Sequence, residues 1–329
     1  MKAIGYYEAH AIEAPRFELL TLPRPTPGPG DLVIAVRALA MNPVDTKIRG
    51  ARSGARPDAP IVLGWDGAGE VVEVGDAVTG FRPGDRVWWA GDVTRPGTNA
   101  ELQAVDHRLV AKLPESLDFA DAAALPLTSL TAWEMLFERL VVPRDRPCDV
   151  LIIGGAGGVG AIAIQLLRAL TKARVHATAG RPASRDYVAS LGATVVDRHA
   201  GIGAPDSYDF VFATTHSGQY WDRLPEVLRP LGAVGLIDDP GRPLDVVPFK
   251  QKALSVHWEL MFTKSRFGVR PESQGEILKM VARLVDAERV KTTAKTVREG
   301  ITIDNLVAAH RELEAGTAIG KIVLAGPLS

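Results

Sequence analysis

The chain has 329 residues, of which 46% are hydrophobic and 23% charged, with a formal net charge of −1. This length exceeds one ordinary core and predicts about two domains, and the near-neutral charge gives no reason to expect nucleic acid or an anionic membrane as a partner. The single cysteine, Cys148, excludes an internal disulfide and a multi-cysteine metal site.

The N-terminal segment MKAIGYYEAH lacks the long apolar core of a signal peptide. No apolar run approaches the roughly 18 residues that a membrane-spanning helix needs. We therefore expect a cytoplasmic protein without a membrane partner.

Residues 1–125 have the pattern of a β-rich domain. Short stretches of alternating apolar residues are separated by Gly, Pro or Asp, as is typical of strands joined by turns. The stretches are DLVIAVRALAMN (31–42), GAGEVVEVG (67–75), DRVWWAG (85–91) and HRLVAKLP (107–114). Their number and spacing predict a small barrel or sandwich.

From about residue 120 the pattern changes to helices alternating with strands. An Ala- and Leu-rich helical segment, DFADAAALPLTSLTAWEMLFERL, comes first. The predicted strands and helices that follow are strands at 150–153, 174–178, 194–197, 210–215, 233–237 and 254–258, and helices at 158–171, 182–191 and 219–229. Alternation of this kind predicts a doubly wound parallel sheet, the Rossmann arrangement.

The C-terminal tail contains two predicted helices, GEILKMVARLVDAERV and one near 304–314, and a final strand, KIVLA. It is too short for a core of its own, so we expect it to pack on the first domain. The predicted domains are therefore 1–125 together with 266–329, and a Rossmann domain at 126–265.

The glycine cluster in VLIIGGAGGVG (150–160) follows a predicted buried strand and begins a predicted helix. The pattern G-x-G-x-x-G of Gly155, Gly157 and Gly160 is a weak signal alone, but in this context it is typical of a dinucleotide site. The first glycine permits a tight turn, the second lets the backbone approach a pyrophosphate, and the third lets the helix lie close to the strand. The N–H groups at the helix N-terminus then face the phosphate charge. The alternative is a flexible turn in a ligand-free α/β domain.

The second predicted strand of this domain bears on the choice of cofactor. An NAD site usually has Asp or Glu about 20 residues beyond the glycines, where the carboxylate binds the ribose 2′-hydroxyl. The corresponding segment, TAGRPASR (178–185), has no carboxylate before Asp186 but contains Arg181, Ser184 and Arg185. Guanidinium groups match a 2′-phosphate, so the sequence predicts a preference for NADPH. The alternative is that these arginines merely occupy the start of a helix and bind no phosphate.

Several motifs together resemble the medium-chain dehydrogenase/reductase superfamily. They are the glycine cluster, MNPVDTK (41–47), VLGWDGAGEVVEVG (62–75), FRPGDRVWWAG (81–91), NAELQAV (99–105), AAALPLTSLTAWEML (122–136) and IGKIVL (319–324). The resemblance covers essentially the whole chain and is strongest to the quinone-reductase-like branch, within the group labelled zinc-type alcohol dehydrogenase-like. It implies an α/β fold, with a GroES-like β-rich catalytic domain and a Rossmann NADP-binding domain.

The comparison with zinc alcohol dehydrogenases leads us to expect no bound metal. Those enzymes carry a Cys where this chain has Val44, and a His-Glu pair where it has Trp65 and Asp66. Their four-cysteine lobe after PGDRV is missing, because WWAGDVTRPGTNAE is short here. A catalytic zinc needs about three protein ligands, and of the expected ones only a carboxylate remains. The seven histidines show no metal-ligand spacing to one another.

The resemblance implies hydride transfer from the nicotinamide C4 to quinones or α,β-unsaturated carbonyls. Without a Lewis acid, alcohol oxidation loses its means of stabilising an alkoxide. In a conjugated acceptor the charge delocalises onto a distant oxygen, which hydrogen bonds can hold. Two alternatives stay open: an NADPH-binding redox sensor or structural protein without turnover, and a zinc alcohol dehydrogenase.

The resemblance also implies a set of cofactor contacts. Asn42 is expected near the nicotinamide or its ribose, and Thr131 near the nicotinamide ribose or phosphate. Lys321 resembles a basic residue that reaches the pyrophosphate; the alternative is that it pairs with Asp66, which would then be structural. The full expected set is Asn42, Thr131, Gly155, Ala156, Gly157, Gly158, Val159, Gly160, Arg181, Ser184, Arg185, His199, Thr214, Thr215, Ile237 and Lys321.

The candidates for the wall of the substrate pocket are Trp65, Trp88, Trp89 and Trp258, because aromatic faces suit flat conjugated acceptors. The alternative for each is core packing. The candidate catalytic residues are Asn42, Trp65 and Asp66. The apolar segment HWELMFT (257–263) ends the sixth Rossmann strand, which in this family often pairs across a dimer, so we expect a homodimer.

Overall fold

The computed structural model describes residues 1–55, 58–196 and 201–329. The chain forms two compact units, of which unit 1 is Met1–Leu127, Phe262–Glu288 and Thr292–Ser329, and unit 2 is Thr128–Met261 and Arg289–Lys291. Most of the C-terminal tail belongs to unit 1, and only Arg289–Lys291 belong to unit 2. None of the helices in the described ranges combines the length and apolar composition that crossing a bilayer requires.

The first part of unit 1 is mostly β-structure, as predicted. Its strands are β1 (Lys2–Gly5), β2 (Glu18–Thr21), β3 (Asp31–Ala40), β4 (Gly67–Val74), β5 (Arg86–Trp89), β6 (Leu102–Asp106) and β7 (Val110–Lys112). Its helices are α1 (Pro43–Ala51), α2 (Phe119–Ala123) and the start of α3 (Pro126–Trp133), which continues into unit 2. The segment HRLVAKLP was predicted as a strand throughout, but it begins with a 3-10 turn because the Asp106 carboxylate accepts the Arg108 N–H.

Unit 2 shows the predicted alternation of strands and helices. A π-helix at Glu134–Arg139 leads into strands β8 (Asp149–Ile153), β9 (Arg174–Thr178), β10 (Thr194–Val196), β11 (Tyr208–Ala213), β12 (Leu228–Leu236) and β13 (Ser255–Trp258). The helices are α4 (Gly158–Leu170), α5 (Pro182–Ser190), α6 (Ser217–Tyr220) and α7 (Leu224–Val227). The helix predicted at 219–229 is found as three consecutive short segments, which are α6, a 3-10 helix at Trp221–Arg223 and α7. Only its end is wrong, because Leu228 already belongs to β12.

The strands of unit 2 form one parallel sheet in the described residues. Their order is β10-β9-β8-β11-β12-β13, and every neighbouring pair is parallel. All five residues of β8 are buried, as expected for a central strand covered on both faces. This order confirms the doubly wound arrangement and reverses direction between β8 and β11.

The C-terminal part of unit 1 completes a second sheet. Its elements are α8 (Phe262–Phe267), α9 (Glu272–Asp286), β14 (Ala294–Ile301), α10 (Ile303–Glu314) and β15 (Lys321–Leu328). Strand β15 pairs with β3 in antiparallel orientation and with β14 in parallel orientation. The last strand of the chain thereby lies beside the strand that precedes Asn42.

Candidate functional site

The glycine cluster forms a tight turn between β8 and α4. Gly154 has a φ of +88°, a conformation that favours glycine, and Gly155 lies outside that region. The prediction that Gly155 makes the tight turn is therefore wrong by one residue. Gly155 instead permits close packing, because a Cβ there would lie 2.7 Å from the Cβ of Ala177 on β9.

Gly157 and Gly160 differ in what surrounds them. A Cβ on Gly160 would lie 2.3 Å from the Gly154 carbonyl oxygen, so glycine lets α4 approach the turn. A Cβ on Gly157 would meet only that same oxygen, at 3.6 Å, among the described atoms within 4 Å. The N–H groups of the first helical turn, from Gly158 onward, have no acceptors within the helix. This open backbone at a helix N-terminus fits a diphosphate.

Two hydrogen bonds connect this turn to the end of β9. The Gly154 N–H donates to Thr178 Oγ1 at 2.9 Å, and the Gly155 N–H donates to the Thr178 carbonyl at 3.1 Å. Thr178 therefore fixes the glycine turn relative to the segment that begins α5. Thr178 was not predicted from the sequence as a site residue, although its position at the end of the second Rossmann strand could have indicated it.

The segment after β9 carries the arginines expected to bind a 2′-phosphate. Arg181 is the N-cap residue of α5, is exposed and makes no side-chain cap bond. Ser184 is buried and Arg185 is half-buried. The first turn of α5 contains no acidic residue, so positive charge stands at a helix N-terminus that favours anions. His199, also expected here, lies outside the described residues.

At the carboxyl edge of this sheet, the glycine turn lies beside two threonines that were predicted to bind the cofactor. Thr214 follows β11, and its hydroxyl donates to the Ile153 carbonyl at 2.8 Å. A Cβ on Gly154 would lie 2.6 Å from Thr214 Oγ1 and 2.7 Å from Thr215 Cγ2. This contact lies where the strand order reverses, which is the usual ligand site of such sheets. The remaining expected contacts of unit 2 are Ala156, Gly158, Val159 and Ile237, which are half-buried, and Thr131 on α3, which is buried.

A buried polar network connects Asn42, Asp66 and Lys321 in unit 1. The Lys321 ammonium donates to Asp66 Oδ2 (2.9 Å), to Asn42 Oδ1 (2.5 Å) and to the Met41 carbonyl (2.6 Å). The pairing of Lys321 with Asp66, one of the two alternatives, is thus the arrangement found. All three N–H groups of the ammonium have acceptors, and none is left for a pyrophosphate.

The same network occupies both polar atoms of the Asn42 side chain. Its Nδ2 donates to Asp66 Oδ2 at 2.8 Å, while its Oδ1 accepts from Lys321. Asp66 Oδ1 accepts the Leu127 N–H at 2.7 Å. Burial raises the pKa of Asp66, and the neighbouring Lys321 charge opposes that rise. The expected contact of Asn42 with a nicotinamide stays a prediction.

Asp45 is a second fully buried carboxyl beside this network. Burial raises its pKa to about 7, although the N–H groups of Asn42 (2.7 Å) and Gly64 (3.1 Å) donate to its oxygens and act in the opposite direction. Because Asp45 lies in the first turn of α1, these bonds hold the start of that helix.

The four tryptophans occupy different environments. Trp88 and Trp89 on β5 are completely buried, and Trp89 Nε1 donates to Gln103 Oε1 at 2.7 Å. For these two the substrate-wall prediction is corrected to core packing. Trp65 is also buried and donates to the Asp92 carbonyl at 3.0 Å. Trp258, at the end of β13, is 53% exposed.

Comparison with known proteins gives consistent matches over the whole chain. Residues 28–115 match the family model of the alcohol dehydrogenase GroES-like domain, and residues 186–324 match that of the zinc-binding dehydrogenase. A zinc-type alcohol dehydrogenase-like protein of Staphylococcus aureus is 33% identical over 98% of this chain and 99% of its own length. The 2-methylene-furan-3-one reductase of Solanum lycopersicum is 31% identical over 98% of this chain and 79% of its own length.

A solved structure agrees with these sequence matches. A Rhizobium etli protein described as a zinc-dependent alcohol dehydrogenase superposes with a TM-score of 0.93 and 44% identity. The match covers 99% of this chain and 98% of the other. Similarity of this extent includes both units and the glycine turn.

Proposed function

Because the chain belongs to the medium-chain dehydrogenase/reductase superfamily of oxidoreductases, we propose that it transfers hydride from NADPH to quinones or α,β-unsaturated carbonyls without a catalytic metal. The observation that carries the proposal is the open backbone beside Gly157 at the N-terminus of α4. The name of the tomato relative supports the acceptor class, since a 2-methylene-furan-3-one is a conjugated ketone.

The residues of unit 2 suit NADPH in particular. When bound, this cofactor supplies the hydride from its nicotinamide C4. The N–H groups of the first turn of α4 would hold its diphosphate, and Thr178 keeps that turn in position. Arg181, with Ser184 and Arg185 nearby on α5, would bind the 2′-phosphate, and no carboxylate before Asp186 competes with it.

The residues at the zinc position of related alcohol dehydrogenases do not fit a metal ion. Val44 offers no donor atom, and the Trp65 indole N–H can only donate and already bonds to the Asp92 carbonyl. Both oxygens of Asp66 accept hydrogen bonds. Elsewhere in the described ranges, no three His, Cys, Asp or Glu side chains are grouped to hold a metal. These residues therefore provide no ligand set for a catalytic zinc ion.

A conjugated acceptor suits such a site. Hydride adds to the carbon remote from the carbonyl, and the charge that develops on the oxygen needs only hydrogen bonds and correct placement. Quinones and enones share this C=C–C=O unit, so one site can reduce both. A saturated ketone lacks the unit and is expected to react poorly.

The test is a steady-state assay of the purified protein with NADPH and NADH. The acceptors are a benzoquinone, a naphthoquinone, several enones and matched saturated ketones. We expect NADPH oxidation with the conjugated acceptors only, unchanged by a zinc chelator. NADPH binding without turnover of any acceptor would indicate a redox sensor. Alcohol oxidation that the chelator abolishes would indicate a zinc alcohol dehydrogenase.

We also propose that the protein is a homodimer joined through β13. This strand pairs only with β12 in the described sheet, so its other edge is open to a second copy. Trp258 and Leu260 beside that edge are 53% and 54% exposed. Light scattering should give a dimer for the wild type and a monomer for Trp258→Glu, whereas Leu231→Glu, a change at another exposed apolar residue, should stay dimeric. A monomeric wild type would contradict this proposal.

A further inference from the structure

A second polar cluster, which no sequence motif indicates, lies at the carboxyl edge of the unit 2 sheet. Asp238 follows β12, and Ser217 begins α6 after β11. The Ser217 N–H donates to Asp238 Oδ2 at 2.9 Å. The other carboxylate oxygen, Oδ1, is buried and accepts no hydrogen bond from the described residues. The Ser217 hydroxyl is likewise buried without a partner there, and the residue is 0% exposed.

Two unpaired buried oxygens at one place call for a physical explanation. A carboxylate oxygen removed from water without a donor is unfavourable, and native proteins leave few such atoms. The backbone beside Ser217 is also unfavourable, because His216 has a φ of +54° although it is not a glycine. Backbone strain of this kind is concentrated at ligand sites. Both features are therefore consistent with a site that is completed by a ligand.

The chemistry of the cluster limits which ligand groups could bind there. An ionised carboxylate oxygen can only accept a hydrogen bond, so it selects an O–H or N–H group and rejects a phosphate. A dinucleotide lies across the point where the strand order reverses. Its diphosphate belongs at the glycine turn after β8, and its adenosine half at the end of β9. The other nucleoside must therefore lie over the ends of β11 and β12, where Asp238 is found.

We propose that Asp238 Oδ1 accepts a hydrogen bond from the nicotinamide nucleoside of the cofactor, through a ribose hydroxyl or the carboxamide N–H. Asp238 is then a specificity residue for the nicotinamide half, as Arg181 is for the 2′-phosphate half. This inference rests on the proposed function, because it assumes that unit 2 binds NADPH.

The test compares two ligands that differ only in the nicotinamide half. Calorimetry gives the Kd of NADPH and of adenosine 2′,5′-bisphosphate, which lacks both the nicotinamide and its ribose. Asp238→Asn removes the charge but keeps one oxygen for the Ser217 N–H, and Asp238→Ser is a smaller second variant. We expect NADPH to bind about tenfold more weakly to both variants, as for the loss of one charge-assisted bond, and the fragment to bind as before. The matched control is Asp239→Asn, one residue along the chain, which should bind both ligands like the wild type.

The outcomes separate this inference from the proposed function. If the wild type binds neither ligand, the proposed function fails and the inference fails with it. If the wild type binds both and the Asp238 variants bind both equally well, only the inference is overturned. Equal weakening of both ligands would also overturn it, because Asp238 would then act on the fold or on the adenosine half.

Discussion

At the scale of single residues, the glycines between β8 and α4 are distinguished by what a side chain would meet. A Cβ on Gly155 or Gly160 would lie 2.7 Å or less from another atom of the turn or of β9, so those glycines serve the fold. Gly157 has open space beside it. One glycine of the motif is therefore available for a ligand, and the other two are needed for packing.

This difference predicts opposite effects of the same substitution. Gly157→Val should leave the stability nearly unchanged, because the Cβ meets only the Gly154 oxygen at 3.6 Å. It should weaken NADPH binding by about tenfold or more, since the branched side chain fills the diphosphate space. Gly160→Val is the matched control and should lower the melting temperature, because its Cβ would lie 2.3 Å from that oxygen. Calorimetry and thermal unfolding measure both; unchanged affinity in Gly157→Val would mean that the turn has another role.

Cofactor preference is also a property of single residues. Changing Arg181 and Arg185 together to Ala should reduce the ratio of NADPH to NADH affinity by about tenfold or more, because each charge-assisted bond that is lost contributes roughly 1.5–3 kcal/mol. The affinity for NADH itself should stay close to that of the wild type. Asp186→Asn, a charge change on the same helix, is the control. A wild-type protein that binds NADH as tightly as NADPH would contradict the assignment.

The sequence predicted the site at this scale only where a local pattern carries the information. The glycine spacing and the absence of a carboxylate after β9 are local patterns, and both could be read directly from the sequence. The tight turn was placed on Gly155 instead of Gly154 because the φ of a glycine cannot be read from its identity. Asp238 was missed because its unpaired oxygen depends on packing between β12 and α6.

At the scale of elements, helices α1 and α10 meet the N-terminal segment in a buried cluster that contains none of the residues expected to bind a cofactor. His310 on α10 is 0% exposed, and neither ring nitrogen has a partner among the described residues. Arg49 on α1 is buried and pairs with Glu314 of α10. His10 is buried as well, and its ring lies 5.1 Å from that of Phe17, which in turn lies 5.4 Å from His310.

This cluster predicts a loss of stability in acid. Burial, together with the Arg49 charge and His10, lowers the pKa of His310 from 6.5 to about 3. The unfolded chain therefore binds more protons than the folded one between these values, and the contribution of His310 is lost as pH falls from 6.5 towards 3. Between pH 7 and pH 5 the free energy of unfolding should fall by about 2 kcal/mol on account of this group.

His310→Phe should remove that part of the pH dependence. Urea unfolding of both proteins at pH 5, 6 and 7 measures the difference, and other titrating groups, such as Asp45, cancel in it. His176→Phe, at a half-buried histidine in unit 2, is the control and should not reproduce the effect. Parallel curves for the wild type and His310→Phe would show that His310 is not the titrating group.

The elements themselves were predictable in proportion to their burial. The strand β8 is entirely apolar from Val150 to Ile153 and was found. Strand β14 was missed, since it is an edge strand whose residues alternate between half-buried and exposed over most of its length. The helix predicted at 219–229 was found as three short segments that end at Val227, with Pro225 in the first turn of the last one.

At the scale of the whole molecule, the chain closes unit 1 by returning its last strand to its first sheet. Lys321, the first residue of β15, lies 255 positions from Asp66 in sequence but 2.9 Å from it in space. The pair is almost completely buried, with 4% and 0% of the two side chains exposed. The resemblance raised this pairing as an alternative, but no local pattern could decide between it and a cofactor contact.

Lys321→Met should reveal how strongly this closure depends on charge balance. Removing the ammonium leaves the buried Asp66 carboxylate without its positive partner, although Asn42 and the Leu127 N–H still donate to it. This loss should cost about 3–5 kcal/mol in the free energy of unfolding. Because burial raises the pKa of that carboxyl, the unfolded chain releases its proton first, and the loss should be larger at pH 8 than at pH 5.

The double variant Asp66→Asn, Lys321→Met is the control, since it keeps an acceptor for the Leu127 N–H without a buried charge. It should regain part of the lost stability, and the extra pH dependence should disappear. Urea unfolding of the three proteins at both pH values is the measurement. Equal losses for the single and double variants at both would show that the contacts of Lys321, and not its charge, hold β15 in place.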